Sequence, residues 1–378
     1  MLWHAVITRF SYRHTTSAAG LNGVLVSLLR RDPLEPKRLV LRYSLFELTC
    51  LPSLLGQTSQ DFDWFIVVDR DLPPSWRERL QALVAGRPRT HLYDYDPAQD
   101  LTETGWLQPY APAQTTRLLT TILDDDDALP ADFVEQMQRT VAQREAELAP
   151  IATLASRKSR QWELVHSRRA PLGYRCAWHR GDWVLSTGLS LLCRWPQHRL
   201  TVLAIHHQVA DLWFLPERGP ALMQLLQQRW SLNDARAVEA TAFIAGRMDD
   251  FQQRAQACVD GEADADAADA GGEGAAVEGA LRFVDLSDTV EAFVVSNHFG
   301  NDQVLRLFEP KPDREPVSGP QDFPGVPIDF ARFRGNARAF GKRPRVYREL
   351  VRELWSRPMP WWPRLRMVAW ASWRFARA

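Results

Sequence analysis

Three short apolar runs, each ending in polar or acidic side chains and each tied to residues of helical spacing, restrict this chain to few architectures. The second is the clearest: in FDWFIVVDRDLPPSW, Trp64 to Val68 are continuously apolar before Asp69, Asp71 and a Pro-Pro turn. A strand without polar alternation is buried on both faces, as in a parallel sheet covered by helices. AVITRF (Ala5 to Phe10) precedes it and TRLLTTIL (Thr116 to Leu123) follows it. Between the first two runs, Leu41, Leu45, Leu48, Leu51 and Leu55 recur at three- and four-residue intervals, predicting a helix with one buried face, kinked at Pro52. After the third, Phe133, Val134, Met137 and Val141 mark another helical stripe. Strands alternating with helices predict an open α/β sheet, whose ligands bind beyond the carboxyl ends of its strands.

At one such end stands ILDDDDALP, four consecutive carboxylates from Asp124 to Asp127. Ionised neighbours repel, and a cation or hydrogen-bond donors must compensate them. Mg²⁺ takes one or two protein carboxylates and fills its remaining positions with water and substrate phosphates. Asp124 with Asp126 is one Asp-x-Asp pair suited to that role, and Asp125 with Asp127 is the other. The plainer reading is a solvated run that caps the following helix. Its place between a strand and a helix favours a site.

Local charge matters because the global charge is silent: 46 Lys and Arg balance 46 Asp and Glu, so nothing demands nucleic acid or an acidic substrate. The start, MLWHAVITRFSYRH, lacks a basic-then-apolar leader pattern, and no uninterrupted apolar stretch is long enough to span a bilayer. A cytoplasmic protein is expected. Cys50, Cys176, Cys193 and Cys258 have no CxxC spacing and read as reduced thiols.

Composition divides the chain further. Residues 1–257 read as the main α/β domain. The stretch 258–280, CVDGEADADAADAGGEGAAVEGA, has no aromatic or basic residue and reads as a disordered acidic insert. Residues 281–330 return to the domain, with a strand expected from Ala292 to Val295. The tail, 331–378, carries 13 Lys and Arg against Glu349 and Glu353, a formal +11 (13 minus 2). Trp355, Trp361, Trp362, Trp370 and Trp373 are interleaved with those cations, as on a helical surface that meets anionic lipid headgroups. The alternative for the tail is a basic helix packed on the body.

The motifs VITRFSYR, CLPSLLGQTSQDFDWFIVVD, LDDDDAL and VVSNHFGN together resemble a bacterial rhamnosyltransferase family within the nucleotide-sugar glycosyltransferases of the GT-A fold. The resemblance runs over roughly residues 5 to 335 and is densest from 40 to 135. It implies a GT-A-like, Rossmann-type open sheet flanked by helices, and transfer of a sugar, rhamnose being the expected one, in polysaccharide biosynthesis. The donor is a nucleoside-diphosphate sugar, the acceptor a cell-surface glycan or a lipid-linked precursor, and the cofactor Mg²⁺ or Mn²⁺. A lipid-linked acceptor places such an enzyme on the inner face of the cell membrane, with peripheral contact through residues 331–378.

Carried over residue by residue, the resemblance makes Asp124 and Asp126 the metal and ribose ligands, with Asp127 supporting the turn. Asp69 becomes a nucleoside contact, and Thr8, Arg9 and Phe10 line the donor pocket. In that family an Arg stands just before the LDxDD pattern; here the residue is Ile122, and Arg117 is several residues away.

For inversion at the anomeric carbon, a base must reach the acceptor hydroxyl. His206, His207 and Asp211, after the small-residue turn at Thr187 and Gly188, are the candidates. Asn297 and His298 are candidates for a loop over the donor phosphates, and the alternative is a polar turn. Trp178, Trp183 and Trp195 are either a sugar-stacking wall or core. Two other classes compete. Asp69 and Asp71 after an apolar strand also have the form of a haloacid-dehalogenase-type phosphatase, although Leu72-Pro73 departs from that motif. An α/β body that docks on membranes without catalysis is the third.

Overall fold

A computed structural model describes residues 1–13, 32–156 (apart from 97, 146, 147 and 149), 158–166, 174–182, 186–205, 245–260, 281–288, 293–297 and 315–317. It also describes single positions at 238, 242, 351, 355, 361, 362, 365, 368, 369 and 372. The strands are β1 (Leu2–Phe10), β2 (Asp63–Asp69), β3 (Thr90–Tyr95), β4 (Arg117–Asp124), β5 (Ile151–Ala155), β6 (Lys158–His166), β7 (Tyr174–Asp182), β8 (Ser190–Arg194), β9 (Leu281–Asp285), β10 (Phe293–Asn297) and β11 (Glu315–Val317). The helices are α1 (Pro36–Leu48), α2 (Cys50–Leu55), α3 (Pro74–Val84), α4 (Phe133–Gln143) and α5 (245–260).

Seven strands form the main sheet in the order β3-β2-β1-β4-β8-β5-β9. The first four of these run parallel, β1 pairing with both β2 and β4 and β2 pairing with β3. Their carboxyl ends therefore share one edge. A second sheet, β10-β6-β7-β11, grows from the hairpin between β5 and β8.

Alternation along the strands explains the layers. Trp3, Ala5 and Ile7 of β1, with Phe65 and Val67 of β2, pack into one core, which Phe251, Ala255 and Val259 of α5 close from outside. Val6 and Phe10, with Trp64, Ile66 and Val68, face the opposite core under α1, α2, α3 and α4. All seven residues of β2 are buried, as the unbroken apolar run predicts. Pro36 and Pro74 stand at the first turns of α1 and α3, where a missing N–H costs nothing.

The expected kinked helix is two helices. The break falls at Thr49 rather than at Pro52. Proline at 52 cannot donate to the carbonyl of Leu48, and its ring crowds that carbonyl, so the chain opens one turn upstream. Leu45, Leu48 and Leu51 are buried as the spacing predicts, joined by Phe46, Cys50 and Leu54, while Leu55 is 47% exposed. The late strand, β10, runs Phe293–Asn297 and pairs with β6 in the second sheet. Residues 258–260 are the last described residues of α5, with Val259 buried, and 261–280 lie outside the described residues. The return segment supplies β9, which pairs with β5 in the main sheet.

Candidate active site

β1 and β4 end side by side, and their register sets Arg9 opposite Asp124. The pair is ionic: Arg9 donates to Asp124 Oδ1 from Nη2 at 2.6 Å and from Nε at 3.2 Å. Ser186 Oγ donates to the other carboxylate oxygen at 3.0 Å. Both partners remain part-exposed, 31% for the Arg9 side chain and 26% for Asp124. Burial works against the charge on Arg9, yet Asp124 outweighs it and raises the guanidinium pKa. Tyr12, buried against Tyr95 at 4.7 Å, lies close enough to contribute, and its own burial raises its pKa.

The next three carboxylates turn inward. The Asp127 amide donates to the Asp124 carbonyl at 3.1 Å, closing a tight turn at the strand end. Arg42 of α1 donates from one Nη1 to Asp125 and to Asp126, 2.7 Å to each. The Asp125 side chain is 4% exposed and that of Asp126 11%. Burial pushes Asp125 up to about 7, against the opposing pull of Arg42. The thiol of Cys50 lies nearby and is raised too, by burial first and by Asp125 second. Asp127 accepts a hydrogen bond from Thr187 Oγ1, which is fully buried.

Two loops brace this turn. Gly188, at φ 77°, lets 186–188 fold back so that its amide bonds the Ile122 carbonyl at 2.8 Å, directly beside the acidic residues. Across the turn, Gln57 Nε2 donates to the carbonyls of Ser53 and Pro130, while its Oε1 accepts from the Val134 amide. The glutamine of SLLGQT thereby ties the end of α2 to the start of α4.

At the end of β2, Asp69 receives the Arg13 amide on one oxygen and the Asp71 amide on the other, both at 2.9 Å. The Arg13 side chain spans Asp32 and Asp71. Two backbone donors hold the Asp69 carboxylate and Arg13 covers Asp71, an arrangement poor for a phosphatase nucleophile and its acid.

The structure thus brings Arg9 and Asp124 together at the edge, with Asp126 just beneath them on Arg42 and Asp69 at the neighbouring strand end. The side chains of Thr8 and Phe10 point into the second core and are fully buried: Thr8 Oγ1 accepts from Trp64 Nε1 at 3.0 Å, and Phe10 packs on Tyr43 and Phe46. Trp195 is buried edge-on against Trp3 at 5.5 Å and belongs to the core. Asp211, His206, His207, His298 and Trp183 lie outside the described residues, and Asn297 and Trp178 are described as backbone. Arg42, Ser186 and Arg13 escaped sequence reasoning, because nothing in their local pattern indicates what they meet across the fold. No group of three or more His, Cys, Asp or Glu arranged to hold a metal occurs among the described residues.

Fold and edge together define a class: an open α/β protein with a polar site at the carboxyl ends of its parallel strands. A family model described as "Putative rhamnosyl transferase" matches residues 4–242, well over half of the chain, and the protein belongs to that family. It is a glycosyltransferase. Among solved structures, HddC from Yersinia pseudotuberculosis is similar at 10% identity over 57% of this chain and 86% of that one, with a TM-score of 0.24. Mouse xyloside xylosyltransferase 1 gives 10% identity over 66% and 83%, with a TM-score of 0.25. Mannose-1-phosphate geranyltransferase from Thermus thermophilus gives 13% over 82% and 80%, with a TM-score of 0.22. No curated protein matches the chain.

Proposed function

We propose that this glycosyltransferase takes a sugar from a deoxythymidine- or uridine-diphosphate donor, rhamnose being the expected sugar, and passes it to a cell-surface glycan or a lipid-linked precursor. The observation that carries this reading is the separation of roles within the acidic run. Asp124 faces outward beside Arg9, while Asp125 and Asp126 are tied inward to Arg42 and Asp127 to Thr187.

A divalent cation would be held by Asp124 at the open edge, with Asp126 as the second oxygen donor from the inner side of the turn, where it shares Arg42 with Asp125; Mg²⁺ or Mn²⁺ needs only one or two carboxylates. When bound, it offsets charge on the leaving diphosphate. The chain's own groups do the rest. Arg9 offers a guanidinium to phosphate oxygen, and its forked donors suit that partner. Asp69, held by two amides, presents a fixed acceptor geometry toward a nucleoside. Ser186 and Thr187 keep the turn from relaxing under its own repulsion. The base that takes the proton of the acceptor hydroxyl is assigned to Asp211, His206 or His207, and binding of the donor phosphates to Asn297 and His298.

A lipid-linked acceptor is favoured by the tail, where Trp361 and Trp362 are 68% and 54% exposed beside a run of +11. We read residues 331–378 as contacting anionic lipid headgroups, placing the enzyme at the inner face of the cell membrane. Among the described residues no helix is long and apolar enough to cross it.

Release of nucleoside diphosphate from a panel of nucleotide-sugars, with a lipid extract as acceptor source, tests the reading. One donor should be consumed in the presence of Mn²⁺, and Asp126→Ala should abolish its consumption without loss of fold. Full activity in Asp126→Ala would refute the metal assignment.

A further inference from the structure

Each carboxylate of the Asp124/Asp126 pair is held by an arginine, and the two arginines differ in what they can do. Arg42 reaches from α1 to two nearly buried carboxylates and serves as a fixed counterion. Arg9 sits at the open edge, about a third exposed, and places two of its donors on a single oxygen of Asp124.

A cation arriving alone must compete with Arg9 for Asp124 and sits beside two guanidinium groups. A diphosphate arriving alone meets a turn of four carboxylates, and it gains Arg9 only by drawing it away from Asp124. When the two arrive together both obstacles vanish. The cation takes over the carboxylate, and Arg9 passes to the diphosphate, whose oxygens suit its forked donors.

We propose that Arg9 is a latch that couples the two ligands, masking Asp124 in the free enzyme and moving to the donor diphosphate when a cation takes its place. This rests on the donor-site reading above. Arg9 is here a positioning and binding residue whose effect is heterotropic. By linkage each ligand must then tighten the other by the same factor, about 5- to 150-fold for couplings of ordinary size.

The experiment is calorimetric titration of the full chain with Mn²⁺ alone, with uridine and deoxythymidine diphosphate alone, and with each in the presence of the other. It is run on wild type, Arg9→Gln and Arg9→Lys, with circular dichroism confirming fold. For wild type, weak separate binding and mutual tightening by at least about fivefold are expected. Arg9→Gln should bind Mn²⁺ alone more tightly than wild type, bind diphosphate more weakly, and lose most of the coupling. Arg9→Lys, which keeps the charge but not the fork, should fall between. Unchanged coupling in Arg9→Gln, with wild type still binding metal and diphosphate, overturns the latch and leaves the donor site standing. Failure of wild type to bind any diphosphate with Mn²⁺ overturns both.

Discussion

The amino-terminal end of the sheet offers a sharp test of how its strands are held. Asp63, at the start of β2, is 5% exposed, and its carboxylate joins three strands. It accepts from Trp3 of β1 at 2.8 Å, from Arg89 at 2.7 and 3.1 Å, and it bonds His91 of β3 at 2.8 Å. Burial alone would raise its pKa, but the bonds from His91, Arg89 and Trp3 outweigh that and hold it at about 2, against 3.8 for an unperturbed Asp. A depressed carboxylate pKa means stability present above the unfolded value and lost as pH falls through the folded one. The window here is pH 4 down to pH 2. At 1.36 kcal/mol per unit, the charge contributes about 2.4 kcal/mol at pH 7 and about 1.3 kcal/mol at pH 3. Asp63→Asn keeps the shape and removes the charge. Urea unfolding at both pH values should show a destabilisation about 1 kcal/mol larger at pH 7 than at pH 3. Equal destabilisation at the two values would refute the account of this carboxylate as an ionised hub.

The remaining predictions concern one buried histidine of β1 and the loop that braces the acidic turn. His4 is buried, and burial lowers its pKa to about 3, from 6.5, outweighing the attraction of Asp61. Its depressed pKa makes stability fall as pH drops from 6.5, by about 2 kcal/mol between pH 7 and pH 5, and His4→Gln should flatten that slope in urea titrations. Thr187→Val removes the donor beneath Asp127 and should cost about 1–3 kcal/mol, with a matching loss of donor affinity in calorimetry. Gly188→Ala places a side chain at φ 77° and should cost on the order of 1 kcal/mol by thermal unfolding.

Legibility in the sequence followed the range of the interactions. β2 and the stripe of α4 are local patterns, and both elements lie where apolar run and helical spacing put them. The acidic turn at the end of β4 was equally readable, because strand, carboxylates and helix are consecutive. The break at Thr49 was misplaced by one turn because proline acts on the carbonyl four residues before it. Thr8 and Phe10 flank Arg9, and strand alternation alone turns their side chains to the opposite face from it. Arg42 and Ser186 were illegible for a different reason: 83 and 62 residues separate them from the aspartates they meet at 125 and 124. Gln57 was visible as part of a motif, but its role in joining α2 to α4 needed the fold.

The central claim is that the edge around Asp124 and Asp126 binds a nucleoside-diphosphate donor with a divalent cation. Equilibrium binding of uridine and deoxythymidine diphosphate to the wild-type chain, with and without Mn²⁺, measures it directly when repeated on Asp124→Asn and Asp126→Asn. The account predicts Mn²⁺-dependent binding of one diphosphate to the wild type and loss of that dependence in both variants. Binding that is indifferent to Mn²⁺ and intact in both variants would contradict it.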